Sequence, residues 1–117
     1  MKSKKQQLRS KADKLWYQVC LKDKCEVCGK EATQVHHFFP KSIAAHLRYT
    51  IENGISLCMG CHFKHHTQGN PVITQTIIKN RGERWYNALE SQSRDNPASY
   101  QTISYYFSKI NELTKKL

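Results

Sequence analysis

Two Cys-x-x-Cys pairs constrain the fold of this chain more than any other feature of its sequence. Cys25 and Cys28 form the first pair, Cys58 and Cys61 form the second, and residues 29–57 separate them. Four thiolates at such spacing complete a closed, tetrahedral structural zinc site. Free thiols or two disulfides are the alternatives, and both are disfavoured because the sequence shows no secretory signal. We therefore expect a structural Zn²⁺.

The fifth cysteine, Cys20, lies on the apolar face of a helix predicted from about Gln7 to Leu21. Apolar residues recur there at helical spacing, namely Leu8, Ala12, Leu15, Trp16 and Val19. We interpret Cys20 as a small buried hydrophobic residue and not as a metal ligand.

Five histidines lie close to the cysteine pairs. His36 and His37 form a doublet, His62 directly follows the fourth cysteine, and His65 and His66 come next. One closed zinc site needs none of these imidazoles. Surplus ligands beside it indicate a second, open metal position, which is where metal-assisted hydrolysis takes place.

Over residues 25–66 the chain resembles the HNH endonucleases of the zinc-stapled ββα-metal type. The resemblance depends on the order of three motifs, VHHFFP at 35–40, NGISLC at 53–58 and CHFKHH at 61–66. It implies a metal-dependent endonuclease that cuts or nicks DNA. It also implies a small treble-clef-like α+β core.

The resemblance further implies a role for each residue at a motif position. His37 corresponds to the general base, while His36 and His62 correspond to ligands of the catalytic metal. Asn53 corresponds to the middle residue of the motif. His66 corresponds to a third metal ligand found in the colicin-like branch of the family.

Elementary geometry agrees with this allocation. His62 and His66 share a helix face at i, i+4 spacing, which His65 joins less readily, although His65 replaces His66 if the helix starts elsewhere. Neighbours on a strand face opposite ways, so His36 and His37 cannot both bind one ion. An imidazole freed in this way suits proton abstraction near neutral pH.

Two points stay open at this stage. Asn53 either donates and accepts hydrogen bonds across the loop between the two strands, or simply forms a turn with Gly54. The catalytic cation is Mn²⁺, Co²⁺, Ni²⁺, Mg²⁺ or Zn²⁺, and a site of three imidazoles disfavours Mg²⁺.

The charge of the chain favours a polyanionic partner. There are 19 Lys and Arg against 9 Asp and Glu, a net charge of +10, and we expect DNA, double-stranded or branched. The predicted DNA-binding residues are Lys2, Lys4, Lys5, Arg9, Lys41, Arg48 and Lys64. His46 is expected to be solvated or to touch a phosphate.

The predicted organisation is a single domain, with a basic helix in 1–24, the HNH core in 25–69 and a helical extension in 70–117. Strands are predicted at 33–39 and 54–57, and helices at 42–48, 59–67, 71–80, 83–93 and 97–116. Asn96-Pro97 is the predicted start of the last helix. Its predicted apolar face consists of Ile103, Phe107, Ile110 and Thr114.

The leading hypothesis is a DNA endonuclease. A non-catalytic zinc module that binds nucleic acid is the alternative, and a packaging partner without activity is a third. No apolar run is long enough to span a membrane, so we expect a cytoplasmic protein. A faint similarity of residues 68–90 to phage Nin-region recombination nucleases favours a phage or prophage gene in a bacterial host, with recombination or packaging proteins as further partners.

Overall fold

The computed structural model describes residues 1–68, 71–95 and 101–117, and the side chains of all of these except 66–68. The elements are helix α1 (Lys4–Cys20), strands β1 (Gln34–His37) and β2 (Gly54–Leu57), and helices α2 (Met59–Gln68), α3 (Pro71–Arg81), α4 (Glu83–Arg94) and α5 (Ile103–Thr114). The predicted α+β fold, with a ββα core between flanking helices, is confirmed. None of the described helices is both long and apolar enough to cross a membrane.

Helix α1 begins at Lys4, earlier than the predicted Gln7. The Ser3 hydroxyl accepts the Gln6 backbone N–H while the Gln6 side chain accepts that of Ser3, which is a capping box that the prediction missed. The buried residues recur every fourth position, as Leu8, Ala12, Trp16 and Cys20. Burial of Cys20 is therefore confirmed, and it raises the pKa of the thiol to about 12.

Strands β1 and β2 form an antiparallel pair in which His36 is opposite Ile55 and His37 is opposite Gly54. A Cβ atom at Gly54 would lie 2.7 Å from Cys20 Sγ, so only glycine lets α1 approach the sheet here. Strand β1 is shorter than predicted because the chain turns away after His37 to form a loop over residues 38–53. The short helix predicted at 42–48 is confirmed only in part, as a 3₁₀ helix of three residues, Ala45–Leu47.

Helices α3 and α4 lie within one residue of their predicted bounds. Gly82 separates them with a φ of 101°, a conformation that glycine adopts without strain. On α3, Ile73 and Ile77 pack in one buried cluster with Ile55 and Leu57 of β2. Helix α3 therefore shares a buried core with strand β2.

Helix α5 packs against α1 and begins at Ile103, where Thr102 caps it by accepting the Tyr105 backbone N–H. Asn96-Pro97, the predicted helix start, lies outside the described residues. The predicted apolar face is confirmed for Ile110 but wrong for Ile103 and Phe107, which are 45% and 46% exposed. The buried residues are Tyr106, Ile110 and Leu113. Tyr106 can be buried because its hydroxyl accepts a hydrogen bond from Arg9 Nε at 3.2 Å.

Candidate active site and cysteine cluster

The four paired cysteines come together as predicted. The Sγ atoms of Cys25, Cys28, Cys58 and Cys61 all lie within 4.8 Å of one another, and those of Cys28 and Cys58 are 3.6 Å apart. Zinc bonds of about 2.3 Å to four sulfurs place those sulfurs ~3.8 Å apart, so the donor set fits a tetrahedral ion. The four thiols can therefore hold one Zn²⁺.

Backbone N–H groups point at these sulfurs. Burial works to raise the pKa of Cys25, but N–H groups that include those of Cys28 and Cys58 outweigh it and lower this pKa to about 7. The Cys61 N–H donates to Cys58 Sγ at 3.4 Å. Such bonds favour the thiolate, the form that binds metal. Because Cys61 and His62 lie in the first turn of α2, the cluster also fixes the start of that helix.

The two histidines of β1 contact different elements. His36 is buried, and its ring meets α2, with centroid distances of 5.5 Å to His62 and 4.4 Å to His65. His37 instead stacks against α1. Both line an open cleft of about 580 Å³, together with His62, His65, Val35, Pro40, Lys41 and Ser42. The structure thus gathers His36, His37 and His62 at one cleft.

His65 is the residue that the spacing argument undervalued. Its ring lies edge-on to His36 and lines the cleft, although the i, i+4 spacing favoured His66. Residues three apart also share a helix face, and this relation to His62 was present in the sequence. The side chain of His66 lies outside the described residues, so its predicted role stays a prediction.

The His37 ring is held in a defined orientation. It stacks on Trp16 with centroids 4.1 Å apart and an interplanar angle of 9°. Its Nε2 lies 3.0 Å from the backbone oxygen of Arg48. A carbonyl oxygen can only accept, so Nε2 carries a proton and the neutral ring leaves Nδ1 unprotonated. Burial, aided by the charges of Lys41 and Arg48, lowers the pKa of His37 and favours this neutral form.

Asn53 bonds across the loop between the strands, which decides between its two interpretations. It is fully buried, and its Oδ1 accepts the Phe39 N–H at 2.8 Å. Its Nδ2 donates to the backbone oxygens of Phe39 at 3.1 Å and Leu47 at 3.3 Å. Asn53 thereby holds Leu47 in place. The next residue, Arg48, provides the backbone oxygen that accepts the His37 N–H.

The same part of the chain matches a known protein family. Residues 25–68 match the family model for the HNH endonuclease. These residues are an HNH endonuclease domain. No curated protein and no solved structure matches the chain. The domain indicates nuclease-type action on nucleic acid, whereas the phage origin and the packaging or recombination partners have no support from this match and stay predictions.

The cleft of the HNH domain is lined by imidazoles. Among the described residues that line it there is no carboxylate, while His36, His62 and His65 provide imidazoles. Imidazole suits Mn²⁺, Co²⁺, Ni²⁺ or Zn²⁺ better than Mg²⁺, which prefers oxygen. Among the described residues, however, only the four cysteines bring three or more possible ligand atoms close together, so a cation bound by the imidazoles of the cleft stays a prediction.

The predicted DNA-binding residues have different surroundings. Lys41 lines the cleft, and Lys64 is exposed on α2. Arg48 is bound by Asp13 of α1 through two hydrogen bonds of 2.8 and 2.7 Å, which the sequence did not reveal. The other four, Lys2, Lys4, Lys5 and Arg9, lie at or near the start of α1. His46, in the 3₁₀ helix, contacts the last turn of α4, with its Nε2 2.7 Å from the Gln92 backbone oxygen, and its predicted phosphate contact stays a prediction.

Proposed function

We propose that this protein is a metal-dependent endonuclease that hydrolyses DNA phosphodiester bonds, with His37 as the general base. The observation that carries the proposal is that the two neighbouring histidines of β1 make different contacts. His36 meets the imidazoles of α2, while the neighbouring His37 has one nitrogen bonded to Arg48 and the other left unprotonated. A module that only binds nucleic acid needs no such arrangement.

The proton transfer follows from the tautomer of His37. Nδ1 takes a proton from the attacking water while Nε2–H keeps its bond to the Arg48 carbonyl, which also stabilises the imidazolium that forms. The water oxygen attacks phosphorus, and the 3′ oxygen leaves. The lowered pKa of His37 keeps the ring ready to accept the proton at neutral pH.

His36 and His62 would hold the catalytic cation, with His66, or His65 in its place, as a third ligand. Such an ion supplies charge neutralisation at the scissile phosphate and at the leaving 3′ oxygen. Lys41, at the mouth of the cleft, is positioned to bind a neighbouring phosphate. Asn53 keeps the loop that carries the His37 acceptor in place.

Cleavage of supercoiled plasmid in a panel of divalent ions tests the proposal. We expect the wild type to nick or cut, and His37→Ala to be at least ~100-fold slower with unchanged zinc content and DNA binding. His46→Ala is the matched control, because His46 is not among the residues that line the cleft. A phosphate contact of His46 would affect DNA binding, so this variant should cleave at the wild-type rate at saturating DNA. Full activity of His37→Ala would overturn the role of His37. Binding without cleavage by the wild type in every ion would instead favour the non-catalytic module.

A further inference from the structure

We propose that Trp16, on α1 and outside the HNH domain, is a positioning residue that fixes the ring plane of the catalytic base His37. The two rings are almost parallel, with centroids 4.1 Å apart and 9° between their planes. The inference rests on the proposed function, since Trp16 acts on the reaction only through His37. Residues 25–68 match the family model, so α1 contributes this contact from outside it.

Trp16 is itself held rigidly. Its side chain is 4% exposed, and its indole N–H donates to the Thr50 backbone oxygen at 2.9 Å. It also packs against Gly54, the strand partner of His37, where a Cβ atom would lie 3.0 Å from Trp16 Cζ2. The glycine opposite His37 therefore leaves the space that the indole occupies. A rigid flat surface restricts the rotation of the His37 ring.

Helix α1 also holds the acceptor of the His37 N–H. The Arg48 backbone oxygen lies 3.0 Å from Nε2, and the guanidinium of the same arginine is bound at two points by Asp13. Asp13 lies one turn before Trp16 on α1. Helix α1 thus controls both the plane of the His37 ring and the position of its hydrogen-bond partner. Together these two contacts set the direction in which Nδ1 faces the attacking water.

The positioning matters because a general base works only along a narrow line of approach to the water. A displacement of about 1 Å can lower a rate by ~100-fold. Loss of the indole face should therefore lower kcat while leaving KM for DNA unchanged, because Trp16 is buried and does not present a surface to DNA.

Three variants test this in steady-state plasmid cleavage across a range of DNA concentrations. Trp16→Met and Trp16→Phe both leave part of the indole space unfilled, but only Trp16→Met also removes the flat face, and we expect its kcat to fall ~10- to 100-fold at unchanged KM. Trp16→Phe keeps a flat ring and should stay close to the wild type. Leu8→Ala is the matched control, since Leu8 is buried in the same α1–α5 cluster far from His37, and it should lose stability without losing kcat. A wild-type kcat in Trp16→Met, or an equal loss in Leu8→Ala, would overturn the proposal.

A measurement without DNA separates this proposal from the proposed function. In proton NMR spectra, the indole ring current should shift the His37 ring protons upfield relative to those of His46, and Trp16→Met should remove the shift. An unshifted His37 in the wild type would refute the stacking even if no variant folds. Full cleavage by His37→Ala would refute the proposed function instead, whatever the ring shift is.

Discussion

The guanidinium of Arg81, at the end of α3, binds both carboxylate oxygens of Glu26, which lies between the first two cysteines. The side chains are only 17% and 13% exposed. Arg81 also donates to the Gly54 backbone oxygen at 2.8 Å, and Glu26 accepts the Ser56 N–H at 2.8 Å. The pair thus connects α3, the first cysteine pair and β2, so the helical extension supports the cysteine cluster directly.

Arg81→Ala should therefore destabilise the protein by about 3 kcal/mol, because it leaves the Glu26 carboxylate largely buried without its cationic partner. Urea unfolding at neutral pH in the presence of zinc would measure the loss. Arg84→Ala, an exposed position on α4, should change the free energy of unfolding by less than about 0.5 kcal/mol. Similar small effects of both substitutions would show that the Glu26 pair contributes little.

The two kinds of metal ligand should respond differently to substitution. Cys25→Ser or Cys61→Ser should abolish zinc binding and unfold the protein, because the closed site contributes directly to folding. His62→Ala should leave the protein folded, with one zinc per chain, but inactive. Circular dichroism and zinc analysis of the purified variants would decide. Equal loss of structure in His62→Ala would assign His62 to the structural zinc.

Local patterns predicted most of the elements here. The cysteine spacing predicted the cluster, and the bounds of α3 and α4 lie within one residue of the predicted ones. The start of α1 was missed because the capping box of Ser3 and Gln6 precedes the first apolar residue. The face of α5 was wrong in part because a tyrosine can be buried once its hydroxyl has a partner, and that partner, Arg9, is remote in sequence.

The candidate site was also predictable only in part, because some of its contacts join residues that are remote in sequence. The motifs indicated His36, His37 and His62, and the structure places all three at one cleft. Contacts between distant segments were not predictable, since no periodicity relates Trp16 to His37 or Asp13 to Arg48. Such contacts come from the packing of α1 on the loop between the strands, which tertiary structure alone determines.

The ligand chemistry predicts the preference for the catalytic cation. Plasmid cleavage should be faster with Mn²⁺, Co²⁺ or Ni²⁺ than with equal Mg²⁺, because the described cleft offers imidazoles and no carboxylate. His36→Asp should shift the preference toward Mg²⁺ by supplying an oxygen ligand. Initial rates across a titration of each ion would show this. A wild-type rate already higher in Mg²⁺ than in Mn²⁺ would contradict an imidazole site.

The third imidazole ligand can be identified by comparing His65→Ala with His66→Ala. The sequence favoured His66, whereas the structure places the His65 ring 4.4 Å from that of His36. Loss of a ligand should raise the concentration of Mn²⁺ needed for half-maximal cleavage by ~10-fold or more, as ligand substitutions weaken metal sites. If one of the two variants keeps the wild-type Mn²⁺ dependence, the histidine replaced in that variant is not a metal ligand. Unchanged dependence in both would leave His36 and His62 as the imidazole ligands.

The lysines at the start of α1 should contribute to DNA affinity through counterion release. Because Ser3 and Gln6 cap the helix, the appropriate variant replaces Lys2, Lys4 and Lys5 with Gln and leaves the capping residues intact. We expect weaker binding without sequence bias, and a slope of log affinity against log salt that is flatter by up to about 3 units. The cleavage rate at saturating DNA should stay the same, since these residues lie about two turns or more before Asp13 and Trp16 on α1. Fluorescence anisotropy across a salt series would measure the slope. An unchanged slope would show that these lysines do not contact phosphates, and the DNA-binding surface would then lie around Lys41 and Lys64.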